Sequence, residues 1–181
     1  MTPHNSRPAV QDSYPSARVA GYPGQLADMR SVGRDPHASY FCETDVYVGR
    51  AVVKGAPSSN DADLRSFAVQ APQPDSTAEQ LVGLVGYTYA AEVDSDGWAF
   101  LWARSQVGVI EPGLGVLVYV SKPQDVSISH GDPVFVAISP DNEAQLPVGL
   151  FTNVAGDGLR QWPGVTWHKQ VGPQLAVISA E

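Results

Sequence analysis

The sequence predicts a mainly β protein, an antiparallel β-barrel or a jelly-roll-like sandwich, preceded by an extended N-terminal arm. Three observations predict it. Glycine and proline (17 and 15 residues) occupy 32 of 181 positions, and that many breakers leave little room for long helices. From residue 41 onward, short β-branched and aromatic runs alternate with turn residues. Residues 1–40 hold prolines at positions 3, 8, 15, 23 and 36 with almost no apolar periodicity, which biases the chain toward irregular, strand-like geometry.

The strand signals recur at short spacing. Residues 46–53 (VYVGRAVV) are β-branched and aromatic, with Gly49 placed for a bulge. Residues 80–90 (QLVGLVGYTYA) carry Leu81, Leu84 and Val85 around two glycines, and 98–104 (WAFLWAR) alternate, with Trp98, Phe100 and Trp102 on one face. Further runs lie at 115–120, 125–129, 133–138, 148–153 and 175–178. Turn tokens separate them, including Asp94-Ser95-Asp96-Gly97, Glu111-Pro112-Gly113 and Ser139-Pro140-Asp141-Asn142. About eight strands on short turns point to a sandwich or barrel. Residues 61–69 (DADLRSFAV) read as a helix of one or two turns, or equally as a loop.

Composition limits the function classes. Hydrophobic residues at 43% against 17% charged are too apolar for a disordered chain. Net charge is −8 with no basic stripe, so direct nucleic-acid binding is not expected. The longest apolar stretch, 107–120, is broken by Glu111, Pro112 and glycines and is too short to span a bilayer. Met1 to Val10 contains no apolar signal segment, so synthesis in the cytoplasm is expected. Cys42 is the single cysteine and cannot form an internal disulfide; it reads as a small buried hydrophobe.

Charge divides the chain into the arm, 1–40, and a body, 41–181. The arm carries four arginines against three aspartates, net +1, whereas the body carries seven basic and sixteen acidic residues, net −9. The arm cannot bury enough surface to fold alone. It is either disordered or laid on the body, a neighbouring copy or another protein.

A search for chemistry finds no site, and no cofactor or metal is expected. His4, His37, His130 and His168 form no metal-ligand spacing, and no nucleophile elbow or phosphate loop is present. Asp61/Asp63 and Asp94/Asp96 could offer oxygens to Ca²⁺, but neither continues as a calcium loop. Asp125, His130 and Asp132 could be imagined as an acid–base set, although Gly131 and Pro133 make a loop the simpler reading. Trp162 and Trp167 bound the run Trp-Pro-Gly-Val-Thr-Trp and suit a core, a protomer interface, or a sugar platform if their rings are exposed.

The order of short motifs resembles the structural cement (capsid decoration) proteins of tailed bacteriophages. The segment Arg18-Val19-Ala20-Gly21-Tyr22-Pro23-Gly24-Gln25-Leu26-Ala27-Asp28 precedes Val48-Gly49-Arg50-Ala51-Val52-Val53-Lys54-Gly55. Leu84-Val85-Gly86-Tyr87, Gly131-Asp132-Pro133-Val134-Phe135-Val136 and the closing Leu175-Ala176-Val177-Ile178 continue the match. The resemblance implies a non-catalytic virion protein on the outer surface of an icosahedral head. It would bridge neighbouring major capsid protein subunits as a homodimer or homotrimer at a lattice axis. Expected capsid contacts are Arg18, Tyr22, Gln25, Leu26 and Arg30, with Trp162 and Trp167 at a protomer interface. The alternative is a tail- or fibre-associated protein that binds host glycans through those two tryptophans.

Overall fold

The computed structural model describes residues 21–28, 37–55, 68–111 and 116–180. Fourteen strands follow one another among these residues: β1 (Leu26–Asp28), β2 (His37–Cys42), β3 (Val46–Tyr47), β4 (Ala51–Lys54), β5 (Ala68–Gln70), β6 (Leu81–Val85) and β7 (Glu92–Val93), then β8 (Ala99–Leu101), β9 (Gln106–Ile110), β10 (Leu117–Ser121), β11 (Pro133–Ala137), β12 (Phe151–Thr152), β13 (Leu159–Gln170) and β14 (Leu175–Ala180). A 3-10 turn, Ala78–Gln80, precedes β6.

Barrel and sandwich features coexist. Five strands close a small barrel in the order β2-β5-β4-β6-β9, and six form a sheet in the order β1-β10-β14-β13-β11-β12. A three-stranded sheet, β3-β8-β7, completes the molecule. Pairing is antiparallel except between β2 and β5, which run parallel. This parallel step is what closes the barrel, and it is invisible in local sequence.

Alternation explains the packing. In β10 and β11 every second residue points inward, so Val118, Val120, Val134 and Val136 lie on one face with Phe151, Trp162, Trp167 and Ile178. Ala51, Leu84 and Ile110 of the barrel join the same cluster, so the large sheet packs directly on the barrel wall. A second cluster, with Cys42, Val52, Val69, Val85, Val107 and Val109, fills the barrel interior. Burying each such aliphatic side chain stabilises by about 1.5–3 kcal/mol.

Strand placement corrects the sequence reading in three places, and a fourth lies mostly outside the described residues. Residues 46–53 are not one strand, because Gly49 at φ 74° turns the chain out of β3 and into β4. Residues 125–129 form a loop, held by the buried Lys122 ammonium, which donates to the Pro123 and Val126 carbonyls at 2.9 and 2.6 Å. The longest strand, β13, was hidden by Pro163-Gly164, which reads as a turn; the strand absorbs both in a bulge, with Gly164 at φ 71°. Of the segment 61–69, only Ala68 and Val69 are described, and both belong to β5.

Strand pairing also begins before residue 41. Leu26 and Asp28 pair with β10, and His37 to Phe41 pair with β9. The described part of the arm is thus woven into both the sheet and the barrel.

Candidate docking surface

The segment 21–28 crosses the seam between the two sheet systems. Gly24 N–H donates to Tyr119 O at 2.8 Å, and Tyr119 N–H donates back to Gln25 O at 2.9 Å, tying the segment to β10. On the barrel side Tyr87 N–H donates to Gly24 O at 2.8 Å. The Gln25 amide oxygen accepts the Tyr22 N–H at 3.0 Å and holds the turn. Leu26 packs against the main core cluster.

This turn leaves Tyr22 pointing outward, 52% exposed. Its ring stacks on Tyr87 with centroids 5.6 Å apart and planes 24° from parallel. Tyr87 in turn meets Tyr89 edge-on at 5.4 Å and 82°, and Tyr89 is 94% exposed. Three tyrosines therefore form a ladder on the surface, anchored at one end by the arm.

The three-stranded sheet adds a second aromatic group. Val46 and Leu101 face the barrel interior, so alternation sends Tyr47, Trp98, Phe100 and Trp102 to the opposite face. Tyr47 lies 5.9 Å from Phe100, and Phe100 meets Trp102 edge-on at 4.8 Å and 73°. The Arg50 guanidinium sits 4.0 Å from the Tyr47 ring centroid and 5.1 Å from that of Trp98, a cation–π arrangement. Burial pushes the Arg50 pKa down while Tyr47 and Asp94 oppose the shift. Trp102 is 54% exposed. The hairpin turn foreseen at Asp94-Ser95-Asp96-Gly97 sets Trp98: Asp94 Oδ1 accepts the N–H groups of Asp96 and Trp98 at 3.0 and 2.8 Å.

The segments that carry the two groups are joined through backbone at the seam. Gly49, two residues beyond Tyr47, donates its N–H to Val85 O at 2.8 Å and touches Pro23.

The sequence-predicted contact residues fare unevenly. Tyr22 is at the surface, Gln25 and Leu26 are engaged within the protomer, and Arg18, Arg30, Asp61 and Asp63 lie outside the described residues. Trp162 and Trp167, expected at a protomer interface, are instead 5% and 0% exposed within one protomer. Trp162 stacks on Phe151 at 6.1 Å and 10°, and Trp167 Nε1 donates to Thr152 O at 3.4 Å. The five-residue spacing would put the two rings on opposite faces of a regular strand. The bulge at Pro163-Gly164 shifts the alternation so that both turn inward, and neither offers a face to a neighbouring copy or to a sugar. Asp132 accepts from Ser129 N–H and Asn153 Nδ2 at 2.8 and 2.9 Å, while His130 Nδ1 lies 3.1 Å from His168 O. These contacts brace a loop.

Sequence reading missed Tyr87, Tyr89, Trp98 and Trp102 as surface groups. The signal was the alternating W-x-F-x-W run, which identifies a shared face but not whether that face is buried.

A fold of this shape is shared with a phage structural protein. One solved structure, described as the capsid of Myoviridae Phage XM1, matches with a TM-score of 0.62 at 14% identity, covering 94% of this chain and 96% of that one. No curated protein matches the sequence. The profile of the phage structural cement protein family (E217 gp24/Pam3 gp6) matches residues 10–180, and the chain belongs to that family.

Proposed function

We propose that this chain binds the outer surface of a phage head and stabilises it by bridging neighbouring major capsid protein subunits, without catalysis. The family match over residues 10–180, which takes in most of the arm, is the observation that supports it. In this reading residues 1–40 act as the arm and 41–181 as the body. Arg18, Tyr22 and Arg30 are the arm's contact residues, and Gln25 and Leu26 serve by fixing how Tyr22 is presented. The protein acts as a homodimer or homotrimer at a lattice axis, carried on the virion after synthesis in the host cytoplasm.

The physics of such a role is mass action. A protein that binds the assembled lattice and not free subunits shifts the equilibrium toward the lattice. Many copies, each with modest contacts, gain strength through multivalency. The arm's prolines lower the entropy lost when it docks, and an acidic body stays soluble and avoids nucleic acid. The test compares heads assembled with and without the protein in a thermal disruption assay. Heads containing it should release DNA at a higher temperature, and equal release temperatures would sink the proposal.

A further inference from the structure

We propose that the aromatic surface formed by the tyrosine ladder and the outer face of the three-stranded sheet is the face that seats on the major capsid protein, against a segment that is apolar and basic. The inference rests on the cement reading above and names the surface that serves it.

The first argument is exposure. Tyr22, Tyr87, Tyr89, Trp98 and Trp102 are large rings at the surface. Scattered apolar residues are ordinary on a protein surface, but rings in mutual contact, three in the ladder and three on the sheet, form patches of the kind that mark interaction sites. Tyrosine and tryptophan are also the residues that most often anchor interfaces.

Ring geometry then argues against a sugar as the occupant. A glycan platform presents rings side by side in one plane, whereas here Tyr87–Tyr89 and Phe100–Trp102 meet at 82° and 73°. That relief of ridges and clefts suits interdigitating side chains.

Charge argues against a second copy. Asp45, Glu92, Asp94 and Asp96 border the sheet face, against Arg50 and Arg104, so the rim is net negative. Arg50 is already committed to Tyr47 and Trp98. Two copies meeting through this face would oppose like charges on chains of net charge −8 each. A partner with basic side chains gains both the rim carboxylates and the open ring faces.

Continuity with the arm is the fourth argument. Tyr22 belongs to the arm and is also the first rung of the ladder, so arm and patch present one surface to one partner.

The test uses heads assembled without the protein and the full-length chain, with binding read by co-sedimentation. A Tyr89→Ala/Trp102→Ser variant removes two exposed rings and should keep the wild-type melting temperature and sedimentation coefficient. It is expected to bind heads at least ten-fold more weakly. Val154→Ser, as exposed as Trp102 but in the bend after β12, should bind as wild type. Glu92→Lys should weaken binding at low ionic strength more than at high. Undiminished binding by the double variant overturns the surface while leaving the cement reading intact. A fall to a smaller oligomer, or loss of glycan binding with head binding retained, overturns the assigned partner. Failure of the wild-type chain to bind heads removes the cement reading itself, and this inference with it.

Discussion

A Cβ placed on Gly49 would stand 2.4 Å from the Cβ of Pro23, so the arm and the barrel touch at a point where only a glycine fits. Gly49 also adopts φ 74°, which L side chains resist. The two halves of the family-like pattern, Tyr22-Pro23-Gly24 and Val48-Gly49-Arg50, are thus two sides of one contact.

Gly49→Ala should therefore be costly, by about 2–4 kcal/mol, since backbone strain and overlap with Pro23 add. Gly97 is the matched control: its φ is 85° but nothing lies within 4 Å of an added Cβ. Gly97→Ala should cost only about 1 kcal/mol of strain. Urea unfolding of the two variants measures the difference, and equal midpoints would contradict the contact.

The four tryptophans should separate into two classes. Trp167→Ala empties a site in the main core and should destabilise by about 3–5 kcal/mol. Trp102→Ala removes an exposed ring and should change stability by less than about 1 kcal/mol. Fluorescence quenching by iodide should reach Trp102 in the folded protein and leave Trp162 and Trp167 untouched.

Tyr40 should titrate late. Burial first, then its hydrogen bond to Glu111 and the nearby Glu111 charge, push its pKa from 10.0 up to about 12. A folded-state pKa above the unfolded one means the contribution is complete below about pH 10 and is lost as pH rises toward 12. One of the seven tyrosines should therefore lag in an absorbance titration, and Tyr40→Phe should remove that lag.

Asp132 should act at the other end of the pH scale. The Ser129 N–H and then the Asn153 amide hold its carboxyl below the ordinary aspartate value of 3.8. Its contribution is present above that value and is lost as pH falls through the lower folded-state pKa. Asn153→Ala should move the acid-unfolding midpoint to higher pH, whereas Asp132→Asn should flatten that part of the profile. An acid midpoint unmoved by Asn153→Ala would show that the amide does not hold the carboxylate.

Much of the fold was legible because its signals are local. The hairpin turn at Asp94 to Gly97 could be read because an aspartate that accepts from its own turn and a glycine at positive φ are both short-range requirements. Strands β6, β8, β10, β11, β12 and β14 followed from alternation bounded by such turns. β13 was missed because Pro163 and Gly164 interrupt its local pattern, and only the pairing with β11 absorbs them as a bulge.

By itself the sequence determined a β-class chain and the order of its short motifs, since periodicity, breakers and motif order are properties of neighbours along the chain. The tertiary structure decided which face of each strand is inside. Trp98 and Trp102 share one face of an alternating run, yet they are turned to solvent, whereas Trp162 and Trp167, five residues apart, are both brought to the core by the bulge between them. It also decided that β2 and β5 close a barrel in parallel. Alternation divides a strand into two faces, and only the sheet packed against one of them settles which is buried.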